Sequence, residues 1–203
     1  MEHITENSFH GIWNYYLSLE NDLATTSQYI EPAGQEDTHS FEFSKLIILS
    51  CTEAESVMKA ICYEITNEEK GNIGEYKEII LTKFPKIITA RVTVSRLGQD
   101  IIPFAGWDSG HLLWWDAYTD VKHKRGTEFD KASYKNAVYA LSALYILILY
   151  LARMNNIDFS SAESTYIFSD YSRKVLACAP SKQLPDFVGT EKNSHTLELF
   201  SAK

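Results

Sequence analysis

The sequence predicts a mainly α-helical bundle of about five helices, with a small β addition at about 87–96 and 165–171. Most of the chain carries apolar residues three or four positions apart, which is the spacing of one helix face. Residues 137–152 are almost wholly apolar, which indicates a central helix that is buried on every side. Residues 86–97 differ because they are rich in β-branched side chains and partly alternate, which favours a strand.

The first half of the chain predicts three helices. Residues 7–24 form an amphipathic helix, and a loop marked by proline and glycine follows at 30–39. Residues 40–66 carry the clearest helical spacing, and a turn follows at 66–74. Residues 75–84 form a short helix that ends at Pro85, because the residue before a proline disfavours the helical conformation.

The second half predicts a strand, a loop at 98–110 and a helical hairpin. Asp108 or Ser109 can cap a helix over 110–124, which breaks near Gly126. Thr127 or Glu128 starts the long apolar helix that ends near Met154. Residues 165–171 are expected to lie beside the first strand.

Length and composition indicate one soluble domain. The 203 residues suffice for one buried core, with 45% hydrophobic and 23% charged residues. We expect residues 1–155 to form the bundle, and 156–203 to form an extension that packs on it and ends in a loosely ordered tail. The net charge of −8 provides no overall field that attracts nucleic acid, so any such contact must come from a local patch.

Cysteine usage and hydropathy predict a cytoplasmic protein without a membrane partner. Three cysteines without a cysteine-rich framework indicate reduced thiols. The first residues lack the basic and apolar regions of a signal peptide. The apolar segment 137–152 is shorter than the roughly 20 residues that cross a bilayer.

One acidic residue interrupts the apolar face of the helix at 40–66. Glu55 lies among five apolar residues at helical spacing: Ile48, Cys51, Met58, Cys62 and Ile65. It can reach water at the edge of the helix, with Lys59 as a partner one turn away. Alternatively it lies inside the bundle against a cation from another helix, because a lone buried charge is costly.

The helix at 110–124 ends in a basic cluster behind two tryptophans, in the stretch WWDAYTDVKHKR. Positive residues at a helix C-terminus often only complement the helix dipole.

Three functional hypotheses compete with this structural explanation of the basic cluster. His123 can exchange a proton during RNA chemistry while Lys122 and Arg125 stabilise phosphoryl charge. The aromatic residues Trp114, Trp115 and Tyr118 can stack on bases while the cations contact phosphates. Asp116, Asp120 and His123 share a face and can ligate a metal, although cations beside them make this a weak pattern.

The same stretch resembles the HEPN superfamily, in particular bacterial HEPN-like proteins with the pattern Y-x-x-V-K-H-x-R. The matching positions are Tyr118, Val121, Lys122, His123 and Arg125. The helix over 40–61 with Glu53 and Glu55, and the proline and phenylalanine of the loop 101–107, also fit, and the likeness covers about residues 7–153.

The resemblance implies an all-α bundle that often dimerises, and in many members a metal-independent ribonuclease of toxin–antitoxin or phage-defence systems. In the usual pattern, four to six residues separate an arginine from the histidine that follows it. Here Asp116, Ala117 and Tyr118 occupy the corresponding positions before His123, so no cation is available there to stabilise a pentacoordinate phosphorus.

Together these observations predict a HEPN-like module that binds RNA or a nucleotide, with an endoribonuclease activity left open. His123, Lys122 and Arg125 are the candidate catalytic residues, and Tyr118, Trp115, Asp120 and Glu55 are the candidate binding and supporting residues. No cofactor or metal is expected, and the expected partners are RNA or a nucleotide, an antitoxin or other protein, and a second copy of the chain. The alternative is a non-catalytic structural or protein-interaction domain, which the net charge of −8 favours.

Overall fold

Five helices and three short strands make up the computed structural model, which describes residues 3–94, 97–157, 176–177 and 184–187. The helices are α1 (Glu6–Thr26), α2 (Phe41–Thr66), α3 (Ile73–Lys83), α4 (Leu113–His123) and α5 (Tyr134–Met154). The strands are β1 (Val92–Val94), β2 (Gln99–Ile101) and β3 (Leu176–Ala177). The predicted mainly α fold with a small β addition is confirmed.

α5 is the central helix, as its composition predicts. It packs against α1, α2 and α4, and α2 contributes its most extensive contact. Residues on all sides of α5 are buried, including Leu141, Leu144, Ile148 and Leu151. By length and composition α5 could cross a bilayer, but most of it is buried inside the protein, as is typical of a core helix.

Side-chain caps fix where several helices begin. The Thr5 hydroxyl accepts from the Ser8 backbone N–H and starts α1, and Ser40 does the same for α2 through the Phe43 N–H. α5 begins later than predicted, because Ser133 caps it instead of Thr127 or Glu128.

α4 also begins later than predicted, at Leu113. Residues 106–110 form a turn in which the Gly110 N–H donates to the Gly106 carbonyl, so neither Asp108 nor Ser109 caps the helix. Gly106 has a φ of +74°, a conformation that side chains other than glycine rarely adopt.

The strands differ from their predicted positions. Ile87–Thr89 forms a 3-10 turn, and of the predicted segment 87–96, whose residues 87–94 are described, only Val92–Val94 forms a strand there. β2 lies in the predicted loop 98–110 and pairs antiparallel with β1, where the Thr93 hydroxyl donates to the Asp100 carboxylate at 2.7 Å. β3 pairs antiparallel with the other edge of β1. The predicted strand at 165–171 lies outside the described residues.

Candidate functional site

The buried face of α4 holds this helix against the bundle. Trp114, Ala117, Tyr118 and Val121 are buried, because they follow the helical spacing. The prediction that Trp114 and Tyr118 stack on bases is therefore wrong, since both rings lie in the core. The indole N–H of Trp114 donates to the Pro103 carbonyl oxygen at 2.9 Å. Because this face is fixed, the C-terminal end of α4 projects Lys122 through Arg125 into solvent.

Lys122 lies against the aromatic residues of its own helix. Its Nζ donates to the Tyr118 hydroxyl at 3.1 Å and lies 5.2 Å from the centroid of that ring. Trp115 is half-buried and packs edge-on against Tyr118, with 5.3 Å between the ring centroids. The hydrogen bond to Tyr118 raises the pKa of Lys122, and the Glu55 carboxylate adds a smaller contribution. Three predicted site residues therefore form one contiguous unit.

Asp120 binds Lys124, its neighbour one turn along the helix. The Lys124 Nζ lies 2.9 Å from an Asp120 carboxylate oxygen, and this hydrogen bond raises the pKa of Lys124. Asp116 instead faces His111, with 3.7 Å between the two side chains. Within the described part of the chain, no group of three or more His, Cys, Asp or Glu residues could hold a metal ion, so Asp116, Asp120 and His123 do not form one.

His123 and Arg125 are exposed at the end of α4. Neither side chain forms a hydrogen bond or an ion pair with another described residue. Both groups are therefore accessible to an external ligand, but no described neighbour orients the imidazole of His123.

Glu55 pairs with Lys59 on its own helix and not with the cations of α4. The Lys59 Nζ lies 3.1 Å from the Glu55 carboxylate, and the Glu55 side chain is 29% exposed. Of the two alternatives predicted for Glu55, the structure shows the pair with Lys59, and among the described residues Glu55 forms no ion pair with a cation of another helix. Glu55 pairs with Lys59 because it lies at the edge of the apolar face, one helical turn from Lys59, where water also solvates both side chains.

Tyr76 on α3 is a member of this region that the sequence analysis did not identify. Its side chain is fully buried, and its hydroxyl donates to the Lys70 carbonyl oxygen at 3.3 Å. Burial raises the pKa of Tyr76, and the nearby Glu55 carboxylate raises it further. Spacing with Ile80 marks Tyr76 as a core residue, but no sequence pattern indicates its proximity to Glu55.

Positive charge at the end of α4 is largely balanced by acidic residues. The stretch 116–131 contains four Lys and Arg residues and four Asp and Glu residues. Two of the cations, Lys124 and Lys131, form ion pairs with Asp120 and Asp130. The positive surface is therefore small and centres on Lys122 and Arg125.

Two large apolar side chains near the ends of α2 and α4 face solvent. Leu113 is 78% exposed and Phe41 is 72% exposed. The Phe41 ring contacts Phe129, with 4.9 Å between the centroids. Such residues are candidates for contact with another protein when they belong to one patch.

No known family model, curated protein or solved structure matches this chain.

Proposed function

We propose that the protein is a HEPN-like helical module that binds single-stranded RNA or a nucleotide at the C-terminal end of α4. The observation that carries this proposal is the exposed pair of His123 and Arg125 beside the Tyr118–Lys122 unit. Cations contact phosphates, and the half-buried face of Trp115 offers a surface for one base.

The site supports binding better than cleavage. A general base needs a group that holds it in position, and no described residue forms a hydrogen bond with His123. The residues five to seven positions before His123 include Asp116 but no cation, and the negative charge of Asp116 would disfavour the negative charge of a phosphoryl transition state. We therefore propose that the ribonuclease step is lost and binding retained.

A binding assay tests the proposal. Fluorescently labelled single-stranded RNA is titrated with the protein in EDTA at several salt concentrations. We expect weak, salt-sensitive binding, because the positive surface is small, centres on Lys122 and Arg125, and belongs to a chain of net charge −8. Arg125→Ala should weaken binding and reduce the slope of log affinity against log salt by about one.

Lys83→Ala is the matched control, since it removes an exposed cation at the end of α3. It should leave affinity and salt slope nearly unchanged. Equal losses in the two variants would attribute binding to general charge and contradict a site on α4. RNA cleavage in EDTA that disappears in His123→Ala would restore the nuclease hypothesis.

The exposed side chain of Phe41, whose ring contacts Phe129, is the observation that supports a second candidate, a protein-interaction domain, and the exposed Leu113 is a further contact point for it. An antitoxin-like partner or a second copy of the chain would cover them. Leu113→Ser and Phe41→Ser should then lower the self-association or partner binding measured by light scattering, and leave RNA binding unchanged. Absence of RNA binding together with a loss of association in these variants would favour this candidate over the first.

A further inference from the structure

Residues 184–187, which we call the C-terminal anchor, contact the bundle where α3 and α5 end. Their sequence is Leu-Pro-Asp-Phe, and α5 ends 30 positions earlier in the chain. The contacts therefore join parts of the protein that are remote in sequence.

The acidic residue of the anchor accepts two hydrogen bonds from two different elements. One carboxylate oxygen of Asp186 accepts from the Lys86 backbone N–H at 2.9 Å, just before the 3-10 turn Ile87–Thr89. The other accepts from the Tyr150 hydroxyl of α5 at 2.8 Å. Hydrogen bonds to a charged acceptor are about twice as strong as neutral ones, so an acidic side chain suits these two donors better than a neutral one.

Apolar residues on both sides of Asp186 also pack against the bundle. Leu184 is 3% exposed. The Phe187 ring lies 5.4 Å from Phe84 and 5.5 Å from Tyr150, measured between centroids, and the Arg153 guanidinium lies 5.9 Å from it. The surface thus recognises an acid between an aliphatic and an aromatic residue.

A second contact of the C-terminal region uses the backbone. β3 adds to the free edge of β1, opposite Thr93 and Val94. Adding a strand to a sheet edge and seating side chains in adjoining pockets are together a common mode of peptide recognition. The C-terminal region therefore contacts the bundle in the manner of a bound peptide.

We propose that the surface formed by Phe84, Lys86, Tyr150 and Arg153 is a peptide-docking site that the anchor occupies within the same chain. Its ligand class is a segment with an aliphatic residue, an aspartate and a phenylalanine in the order of 184–187, which forms a turn because the Phe187 N–H donates to the Leu184 carbonyl oxygen at 2.9 Å. A partner protein that carries such a segment competes with the anchor for the site. This inference is independent of RNA binding at α4.

Peptide binding to the full-length chain tests the proposal. The probe is a fluorescein-labelled peptide with the sequence of residues 182–189, and its anisotropy is measured against the double variant Asp186→Ala/Phe187→Ala. We expect saturable binding to this variant and at least roughly tenfold weaker binding to the wild-type chain, because the tethered anchor competes at an effective concentration of about millimolar.

Two controls define the site. A peptide with alanine in place of its aspartate should bind the double variant at least tenfold more weakly, and adding Tyr150→Phe should also weaken binding of the unaltered peptide. Adding Lys59→Ala, a change on α2, should have no effect. Equal affinity for the wild-type chain and the double variant, or no binding to a double variant with native circular dichroism, would overturn the proposal.

Hydrogen exchange of the wild-type chain gives a test that does not require the double variant to fold. The Lys86 amide should exchange faster than amides in the middle of α5, since release of the anchor exposes it without global unfolding. Excess peptide should slow this exchange, and the alanine peptide should not. Exchange of Lys86 that is insensitive to both peptides contradicts a docking site.

Discussion

Two acids of α2 have different surroundings although only one residue separates them. Glu55 is paired with Lys59, whereas Glu53 has no ion pair among the described residues. Partial burial raises the pKa of Glu53. On α1, burial raises the pKa of Tyr15, and the nearby Glu53 carboxylate raises it further. The ionised form of Glu53 is therefore disfavoured in the folded protein.

Glu53→Gln should stabilise the protein at neutral pH. The pKa of Glu53 is higher in the folded protein than in the unfolded chain, where it is about 4.3. The stability that protonated Glu53 contributes is therefore fully present below a pH of about 4.3, and it is lost as the pH rises through the folded pKa. The advantage of the variant in urea unfolding should therefore shrink as pH falls from 7 to 4. Glu78→Gln, at an exposed position of α3, is the control and should show little change; an advantage for Glu53→Gln that grows toward acid would contradict the assignment.

The thiols of Cys51 and Cys62 should be unreactive in the native protein. Both are fully buried, and burial raises the pKa of Cys51 well above its usual range and that of Cys62 to about 12. In a Cys178→Ser variant at pH 8, we expect a disulfide reagent to label them roughly a thousandfold more slowly than in urea, because the thiolate is the reacting form. Rapid labelling of either thiol without denaturant would show that its surroundings are open.

At the scale of elements, caps decided how closely helix ends could be predicted. The predicted helix at 40–66 agrees with α2 because Ser40 is a cap visible in the sequence. The start of α5 was missed because Ser133 lies behind a 3-10 turn, Phe129–Lys131, that carries no pattern of its own. Strands of three residues are too short to show alternation, so β2 was predicted as loop.

The C-terminal end of α2 gives a prediction at this scale. Asn67 caps the helix with a φ of +57°, and its N–H donates to the Tyr63 carbonyl at 2.8 Å. Asn67→Ala should destabilise the protein by about 1 kcal/mol, because side chains other than glycine and asparagine are strained in the left-handed region. Asn67→Gly should be neutral or stabilising. Equal urea midpoints for the two variants would contradict this account of the cap.

At the scale of the molecule, the fold was predictable and the arrangement of the site was only partly so. Periodicity shows which face of each helix is buried, and Trp114 and Tyr118 follow the spacing of the buried face of α4 although the sequence also presented them as stacking surfaces. It does not show how neighbouring helices are aligned, so the distance from Glu55 to the α4 cations could not be predicted. The ion pairs Glu55–Lys59 and Asp120–Lys124 could be predicted, because each joins residues four positions apart on one helix.

The central position of α5 predicts that the bundle unfolds as one unit. Leu144 is fully buried in this helix, and Leu144→Ala should cost about 2–5 kcal/mol through lost transfer energy and a cavity. Because α5 contacts α1, α2 and α4, the loss should affect the whole bundle. Urea unfolding followed by far-ultraviolet circular dichroism reports the helices, and tryptophan fluorescence reports the surroundings of Trp13 on α1, Trp114 and Trp115 on α4, and Trp107 in the preceding loop. The two urea midpoints should fall together, and the dependence of the unfolding free energy on urea concentration should not change. The control Ser56→Ala, on the exposed face of α2, should change stability by less than about 0.5 kcal/mol. Midpoints that separate in Leu144→Ala would mean that the surroundings of the tryptophans unfold apart from the other helices, and that α5 does not couple the bundle into one unit.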